Sequence, residues 1–311
     1  MSQTDALINR VLKNSRHLRK WAKREGLEAY RLYDRDIPEL PYAIDLYGDW
    51  LHLQLFEGKR PLEEPQVAAH REALSAALEI PPDHIALKAR QRQRGSDQYQ
   101  KLDEDAPFFS VRERDLLFEV NMRRYLDTGL FLDHRDTRRM VRERAEGKSL
   151  LNLFAYTGSF TVYAAAGGAR RTLTVDMSQT YQAWTRRNLI LNGLDDPKRH
   201  GLICTDVLKF IQDAPAAGER FDLIVLDPPS FSNSKRMQDA FDIQRDHPWL
   251  LRKTLRLLSP AGELFFSNNR RGFKLDPELE GEAQFEEITS KTIPPDFQRY
   301  QPHRCWRISK D

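Results

Sequence analysis

Residues 221–230, Phe-Asp-Leu-Ile-Val-Leu-Asp-Pro-Pro-Ser, decide the fold of this chain. Apart from one aspartate, the first six are apolar, which is the pattern of a parallel strand covered on both faces. Pro228 and Pro229 have no backbone N–H, so the chain leaves the sheet after Asp227 in an extended conformation. Ligands bind beyond the carboxyl ends of strands in open α/β sheets. The turn Asp227-Pro228-Pro229-Ser230 is therefore a candidate site, although this decapeptide alone fits a structural loop equally well.

The segments around this strand alternate between strand and helix. We predict strands at residues 149–154, 171–175, 200–204, 221–226 and 262–267, and helices at residues 159–166, 179–192, 207–214 and 244–258. Such alternation predicts a doubly wound, Rossmann-like α/β domain with right-handed crossovers. Asp127-Thr128-Gly129 marks its start, a helix continues to about residue 146, and strands at residues 286–291 and 305–309 complete it. We assign residues 129–311 to this domain.

The preceding part of the chain has a different pattern. Residues 5–25 predict a helix with one basic face, on which no acidic residue occurs between Arg10 and Arg24. This face could contact phosphate, but a solvated surface explains it slightly better. Short alternating segments and one amphipathic helix follow, and they predict a small α+β domain with an antiparallel sheet. We expect an N-terminal basic helix or linker at residues 1–26 and a small RNA-binding domain at residues 27–128.

One segment of the small domain carries cations at every second position. They are Lys88, Arg90, Arg92 and Arg94, and in a strand they would share one face. Like charges in such a row repel one another, so the arrangement is more favourable under an anionic cover. RNA backbone is the obvious candidate, and we prefer this interpretation to a solvated edge strand.

Composition narrows the class of protein less than the motifs do. The 311 residues suffice for two domains, and 49 Lys and Arg against 46 Asp and Glu leave a polyanionic partner undecided. The two cysteines, Cys204 and Cys305, are too few for a disulfide framework or a zinc site, so we expect a reducing compartment and no metal. Without a membrane span or a signal peptide in the sequence, we expect a soluble cytoplasmic protein with no membrane partner.

Four successive strand ends carry groups that suit S-adenosylmethionine. Gly158 turns the first strand into a helix whose N–H groups can meet the methionine carboxylate, and Asp176 ends the second strand, where an acid can bind ribose hydroxyls. Asp206 can accept from the adenine amine, and Asp227 follows the fourth strand. Asp176 is alternatively a helix N-cap, a role that Ser178 serves equally well. The order of all four predicts a class I methyltransferase; a NAD-dependent dehydrogenase fits less well because the first turn lacks the glycine series.

Five motifs in this domain carry a family resemblance. They are Gly-Leu-Phe-Leu-Asp-His-Arg at 129–135, Leu-Asn-Leu-Phe-Ala-Tyr-Thr-Gly at 151–158, Thr-Val-Asp-Met-Ser at 174–178, Asp-Pro-Pro-Ser-Phe-Ser-Asn-Ser-Lys-Arg at 227–236 and Phe-Ser-Asn-Asn-Arg-Arg-Gly-Phe at 266–273. The chain resembles the RlmK half of the bifunctional bacterial enzyme RlmKL, and Trp-Ala-Lys-Arg-Glu-Gly-Leu at 21–27 extends the match into the first domain.

The resemblance implies an activity and partners. The RlmK half methylates N7 of a guanine in 23S rRNA, and we expect the same substrate here, naked or in an early precursor. In that family a preceding half with an RNA-binding THUMP domain methylates N2 of another guanine. We expect a covalent or functional link to such a half, with this chain as a fragment or a split gene product.

The resemblance also implies which side chains bind the cofactor. From the methionine end to the adenine, they are Asp133, Arg135, Asn152, Phe154, Tyr156, Asp176, Met177 and Asp206.

The ends of the fourth and fifth strands agree with transfer to guanine N7. Methylation at cytosine C5 needs a cysteine nucleophile at one of them, and Cys204 and Cys305 lie elsewhere in the sequence, where we expect core thiols. Guanine N7 carries a lone pair at neutral pH, so alignment with the methyl group suffices. Asp227 can accept from guanine N1–H and the N2 amine, and Ser230, Asn268 or Asn269 can donate to O6. The candidate catalytic residues are Asp227, Pro228, Ser230 and Asn268.

The same strand ends supply candidate RNA contacts. Phe231 can stack on a flipped base or, equally well, pack as part of a lid. The cations expected to hold phosphate are Lys235, Arg236, Arg270, Arg271 and Lys274.

Two other functions stay open. Asp-Pro-Pro is related to the Asp/Asn-Pro-Pro-aromatic turn of amino-methyltransferases, so an exocyclic amine, guanine N2 or adenine N6, is the nearest alternative acceptor. Ser230 in place of the aromatic residue counts mildly against it. The alternative of another class is a non-catalytic RNA-binding module on a methyltransferase fold, which would bind RNA without binding the cofactor.

Overall fold

The chain forms two compact units. The structure is a computed structural model that describes residues 2–58, 61–90, 106–232 and 241–310. The first unit comprises Met1–Leu132 and Pro295–Tyr300, and the second comprises Asp133–Pro294 and Gln301–Asp311. The N-terminal helix clusters with the small domain that follows it. The three-part division after residues 26 and 128 stays a prediction.

The first unit combines two helices with a sheet and a hairpin. Its elements are α1 (Gln3–Glu25), β1 (Ala29–Asp34), β2 (Tyr42–Tyr47), β3 (Trp50–Phe56), α2 (Glu64–Leu78), β4 (Ile85–Arg90), β5 (Phe109–Glu113) and β6 (Leu116–Val120). The strands β1 to β4 form one sheet in that order, and β5 pairs with β6. The predicted antiparallel pairing is confirmed for β1, β2 and β3, whereas β4 joins in parallel because α2 carries the chain across the sheet.

The basic N-terminal helix contributes to the core of this unit. It begins at a capping box, in which Ser2 and Asp5 exchange hydrogen bonds between side chain and backbone, and it ends at Gly26, whose φ is +68°. Its apolar side chains pack into the cluster formed by the sheet; they are Leu7, Val11, Leu18 and Ala22. Burial of this face explains why the cations occupy the other one.

A short segment from late in the chain completes the first unit. Within Pro295–Tyr300, Asp296 Oδ2 accepts the backbone N–H of Arg31 at 2.9 Å, and Arg299 Nη2 donates to the Asp36 carbonyl at 2.9 Å. The Arg31 guanidinium also lies 4.3 Å from the centroid of the Phe297 ring. These contacts tie the segment to β1 and the turn after it.

The row of cations on β4 differs from the prediction. Lys88 is buried, and its Nζ donates to the Arg123 carbonyl at 2.7 Å. An ammonium that is buried against a carbonyl is not available to contact RNA phosphates, so the prediction was wrong for Lys88. The side chain of Arg90 and all of Arg92 and Arg94 lie outside the described residues.

The second unit is a seven-stranded sheet between layers of helices. Its elements are α3 (Arg135–Glu143), β7 (Ser149–Leu153), α4 (Ser159–Ala166), β8 (Arg171–Asp176), α5 (Gln179–Leu191), β9 (His200–Cys204), α6 (Val207–Asp213), β10 (Phe221–Leu226), β11 (Phe231–Ser232), β12 (Phe241–Asp242), α7 (Ile243–Leu255), β13 (Leu258–Asn268), β14 (Gln284–Glu287), α8 (Thr289–Thr292) and β15 (Arg304–Ser309). The sheet order is β14-β15-β13-β10-β7-β8-β9. Five neighbouring strands are parallel to one another: β13, β10, β7, β8 and β9. The strand β15 is antiparallel to both of its neighbours. The doubly wound α/β prediction is confirmed.

Two predicted elements differ in extent. The helix expected from residue 129 begins only at Arg135, after a 3₁₀ turn at Leu132–His134, and Gly129 has a φ of +102° that no helix accommodates. The strand expected at residues 286–291 ends at Glu287 and continues as α8, where the Thr292 hydroxyl donates to the Thr289 carbonyl.

The strand β10 lies at the centre of the sheet, between β13 and β7. Ile224 and Leu226 face one apolar cluster, while Leu223 and Val225 face the other. The single polar residue, Asp222, accepts from the backbone and hydroxyl of Ser149, each at 2.8 Å. Burial opposes its ionisation, but these bonds and one from Arg170 outweigh burial and lower the pKa of Asp222 to about 2.

Among the described residues, none of the helices has the length and apolar character of a membrane span.

Candidate active site

The turn after β7 is held in a strained conformation. Phe154, Tyr156 and Gly158 all have positive φ, at 55°, 52° and 72°. A Cβ on Gly158 would lie 2.3 Å from Cγ2 of Thr185, so only glycine fits there. Asn188 Nδ2 fixes the same turn by donating to the Thr157 carbonyl at 2.9 Å. The turn therefore presents the N-terminus of α4 in one defined arrangement.

The carboxylate of Asp176 fastens this turn to the end of β8. Its Oδ2 accepts the Tyr156 N–H and its Oδ1 accepts the Ser178 N–H, both at 2.9 Å. Burial raises the pKa of Asp176 despite these bonds. Ser178, whose Oγ accepts from Tyr181 N, is the N-cap of α5, so the structure gives the capping role to Ser178 and leaves Asp176 at the strand end.

The carboxylate of Asp227 is fixed at the end of β10. Ser267 Oγ on β13 donates to Asp227 Oδ1 at 2.6 Å, and the next residue, Pro228, is buried. The Asp227 side chain is 26% exposed, and its Oδ2 lies 3.5 Å from His134 Nε2. The protein therefore holds one oxygen of the Asp227 carboxylate, while part of the side chain stays accessible to a ligand.

Two histidines that sequence reasoning missed lie beside this carboxylate. His134 is buried, and its ring stacks on that of His303 with centroids 4.3 Å apart and planes 12° apart. His303 Nδ1 lies 3.0 Å from Asp133 Oδ2. His134 could have been noticed, because it follows Asp133 in a motif that was already selected. His303 has no local signal, since only the pairing of β15 with β13 places it here.

Polar side chains at the end of β13 flank the same turn. Ser230 Oγ donates to Asn269 Oδ1 at 2.5 Å. Asn268 is buried, and its Oδ1 accepts the Arg270 N–H at 3.2 Å. The Asn268 Nδ2 has no hydrogen-bond partner within the described ranges. A buried amide donor in this condition is a candidate for binding a ligand acceptor.

Comparison with known proteins identifies the family. The model of the S-adenosylmethionine-dependent methyltransferase family matches residues 35–301. The chain belongs to this family.

One relative is similar to this methyltransferase in sequence, and two solved structures are similar to it in fold. It is 49% identical over 312 residues to "Ribosomal RNA large subunit methyltransferase K" of Neisseria meningitidis, with 99% of this chain and 88% of that protein covered. The resemblance inferred from the motifs is thereby confirmed. Its fold is similar to that of SMU.776, a putative methyltransferase complexed with SAH, with a TM-score of 0.79 and 23% identity over 99% of this chain and 82% of the other. A methyltransferase from Agrobacterium tumefaciens has a TM-score of 0.60 at 20% identity, covering 87% and 88%.

The cofactor of this methyltransferase is S-adenosylmethionine. The strand ends fit it, because a carboxylate has about four acceptor positions and Asp176 uses only part of them for backbone N–H groups, which leaves positions for ribose hydroxyls. Gly158 would direct the methionine end to the N-terminus of α4, and Met177, half-buried beside Asp176, would face the adenine. Which residues contact the cofactor stays a prediction.

Other predicted cofactor residues have defined places. Asn152 is buried and donates to Thr161 Oγ1 at 3.0 Å, which commits its amide to the packing of α4 on β7. The Phe154 ring packs against the apolar cluster below, and Arg135 is fully buried in α3. Asp206 Oδ1 accepts the Leu208 N–H at 2.8 Å as the N-cap of α6, which leaves Oδ2 for the adenine amine.

The predicted RNA contacts are only partly described. Arg270 pairs with Asp242 at 2.6 Å, so its charge is used within the protein. Arg271 and Lys274 are exposed, and Phe231 is 51% exposed, which favours stacking over packing as a lid. Lys235 and Arg236 lie outside the described residues.

The prediction of core thiols is confirmed for Cys305, which is buried in an apolar cluster, and is wrong for Cys204. Cys204 is exposed at the end of β9, where its Sγ contacts the Met177 carbonyl, so that prediction was wrong. Cys305 is buried, but on β15 it pairs with Ser267 and thus lies nearer the site than the sequence indicated. Burial raises the pKa of the Cys305 thiol, and the charge of Asp227 adds to the effect. A thiol in this state is a poor nucleophile.

Asp133, His134 and His303 raise the question of a metal site. One ligand atom from each lies within 4.8 Å of the others. Imidazole binds a metal along the nitrogen lone pair, which lies in the ring plane. The two rings are stacked nearly parallel, so their lone pairs do not converge on one point. The arrangement fits a hydrogen-bonded His-carboxylate network better than a metal centre.

Proposed function

We propose that this methyltransferase transfers the methyl group of S-adenosylmethionine to N7 of a guanine in 23S rRNA. The substrate class is supported by the 49% identity to a ribosomal RNA large subunit methyltransferase of Neisseria meningitidis and by the motifs at the strand ends. The observation that carries the proposal is the Asp227 carboxylate, anchored by Ser267 at 2.6 Å, partly exposed at the end of β10 and without a reactive thiol beside it.

The chemistry of N7 suits such a site. The cofactor supplies a methyl group on a positively charged sulfur. A bond forms between the N7 lone pair and the methyl carbon while the carbon–sulfur bond breaks, so no proton must leave the base. The positive charge moves onto the guanine as the bond forms. A carboxylate that accepts from N1–H and the N2 amine therefore interacts more strongly with the transition state than with the substrate.

The surrounding side chains can orient the base. Asp227 would face the edge that carries N1–H and the N2 amine, and the buried Nδ2 of Asn268 would donate to O6. The Ser230 hydroxyl donates to Asn269 Oδ1, so it would orient the Asn269 amide, whose Nδ2 would be the further donor to O6. Pro228 removes a competing N–H and stiffens the turn that carries Asp227. Alignment of N7 with the methyl group then lowers the barrier by orientation.

RNA binding would rest on exposed cations and an aromatic ring. The exposed Arg271 and Lys274 would hold phosphate, together with Arg92, Arg94, Lys235 and Arg236 from the sequence, and Phe231 would stack on the target base. The link to a guanine-N2 methyltransferase half stays a proposal.

Nucleoside analysis tests the proposal. 23S rRNA from cells that lack the modification is incubated with S-adenosylmethionine and wild type or Asp227→Ala, digested and analysed by mass spectrometry. We expect 7-methylguanosine with wild type and a loss of about a hundredfold or more in the variant.

Three outcomes would contradict it. Equal yields from wild type and Asp227→Ala would remove Asp227 from the mechanism. N2-methylguanosine or N6-methyladenosine without 7-methylguanosine would establish an exocyclic amine as the acceptor. RNA binding with no S-adenosylmethionine binding by calorimetry would favour a non-catalytic module.

A further inference from the structure

A histidine pair connects the two carboxylates of the site. His134 Nε2 lies 3.5 Å from Asp227 Oδ2, the two histidine rings stack at 4.3 Å, and His303 Nδ1 lies 3.0 Å from Asp133 Oδ2. We propose that His134 is a positioning residue that donates its Nε2–H to Asp227, and that His303 holds the His134 ring in place while orienting Asp133. This inference rests on the proposed role of Asp227 at the substrate base.

The surroundings of His134 assign its single proton. Nε2 faces two carboxylates, Asp227 at 3.5 Å and Asp133 at 3.9 Å, so an N–H is favourable there. Nδ1 is buried and lacks a hydrogen-bond partner in the part of the chain that the structure describes. A proton on Nδ1 would be an unsatisfied buried donor, which is unfavourable. His134 is therefore neutral, with the proton on Nε2.

Electrostatics agree with this assignment. Burial lowers the pKa of His134 more than the charge of Asp227 raises it; of the remaining neighbours, His303 lowers the pKa, Asp133 raises it, and Arg138, with the weakest effect, lowers it. The ring thus donates one hydrogen bond without bringing a positive charge next to Asp227. The full negative charge of Asp227 stays available to a guanine that becomes positive during methyl transfer.

The network is rigid enough to position a carboxylate. Ser267 Oγ holds Oδ1 of Asp227 at 2.6 Å, so a donor at Oδ2 removes the remaining rotation of the group. His303 is itself fixed, because its Nε2 lies 3.0 Å from Thr292 Oγ1. The rings of Phe160 and His134 pack edge to face, with their centroids 5.8 Å apart. A side chain locked by packing and hydrogen bonds keeps a reacting group within the narrow range that catalysis requires.

Three variants test the role of His134. His134→Leu keeps the volume and removes the donor, His134→Gln offers an amide N–H near the position of Nε2, and His200→Leu is the matched control. His200 is a buried histidine of the same unit whose Nδ1 lies 3.0 Å from Thr172 Oγ1, and it lies at the opposite end of the parallel strands. Labelled methyl groups transferred to rRNA give kcat, and calorimetry gives the cofactor Kd.

We expect kcat of His134→Leu to fall about tenfold with an unchanged cofactor Kd, because one hydrogen bond to a charged group is lost. His134→Gln should recover most of the rate, and His200→Leu should keep it. If His134→Gln is as slow as His134→Leu, or if the loss is entirely in the cofactor Kd or in folding, the positioning role is refuted.

A double-mutant cycle separates this inference from the proposed function. In an Asp227→Ala background, His134→Leu should cause no further loss of methyl transfer; a second tenfold loss would refute coupling through Asp227. The label counts every methylated atom, so the outcome does not depend on N7 being the acceptor.

Nitrogen NMR of the histidine-labelled full chain needs no substrate at all. It should show the His134 proton on Nε2 and a shift of that signal in Asp227→Asn. A proton on Nδ1, or an unchanged signal, would overturn the proposal even if rRNA proved not to be the substrate.

Discussion

The replacement Gly158→Ala should destabilise the second unit more than the same replacement at a glycine that also has positive φ but whose Cβ position is unobstructed. Two costs add. The left-handed backbone, with φ at +72°, costs an alanine about 1–2 kcal/mol. Its Cβ would also lie 2.3 Å from Cγ2 and 2.7 Å from Oγ1 of Thr185. Thr185 cannot rotate freely, because its Oγ1 donates to the Tyr181 carbonyl at 3.0 Å. Displacing it adds about 1–3 kcal/mol, for a total loss of about 2–5 kcal/mol.

Gly193→Ala is the control for this prediction. Gly193 has nearly the same φ, +68°, but nothing lies within 4 Å of its Cβ position, so it should lose only the conformational part. Urea unfolding followed by circular dichroism gives both free energies, and calorimetry gives cofactor affinity, which we expect to fall for Gly158→Ala alone. Adding Thr185→Ala should restore part of the stability. Equal losses in Gly158→Ala and Gly193→Ala, or no recovery in the double variant, would refute the steric argument.

Three further predictions follow from the site. Ser267→Ala should lower kcat about tenfold by freeing one oxygen of Asp227, with little change in Tm; unchanged turnover would contradict the anchoring role. Since burial raises the pKa of Asp176, its stabilising effect is complete below the unfolded-state pKa and is lost as pH rises through the folded pKa. The unfolding free energy of wild type relative to Asp176→Asn should therefore fall as pH rises from about 4 to 7, and a rise would contradict it. Replacing Arg271 and Lys274 by Gln should raise KM for rRNA and reduce the salt slope of binding by about 2 without changing the cofactor Kd; an unchanged slope would place RNA phosphate elsewhere.

The sequence predicted the sheet well because its signals are local. The apolar run before Asp227, the proline pair after it and the acids at successive strand ends each depend on a few neighbouring residues. Parallel pairing then brings those ends to one edge without further information. For the same reason the position of Asp176 could be predicted, whereas its hydrogen bond to the Tyr156 N–H could not, since that depends on the strained turn after β7.

The missed features depend on contacts between distant segments. His303 reaches the site only because β15 pairs with β13, and Ser267 faces Asp227 across 40 residues of sequence. Lys88 was misassigned because an alternating row of charges was read without its packing partners, and its ammonium is bound by the carbonyl of Arg123. Periodicity indicates which side chains share a face of a strand, but not whether that face is covered by protein.

The excursion of Pro295–Tyr300 into the first unit limits how this protein can be recombined. The chain passes between the units after Leu132, after Pro294 and after Tyr300, so neither unit corresponds to one continuous stretch. A chimera that joins only the N-terminal part of this chain to the rest of a relative would leave the Arg31 amide facing a foreign residue in place of Asp296. A chimera of this kind, or a transfer of the first unit to another methyltransferase, must therefore include the six residues Pro295–Tyr300 together with β1.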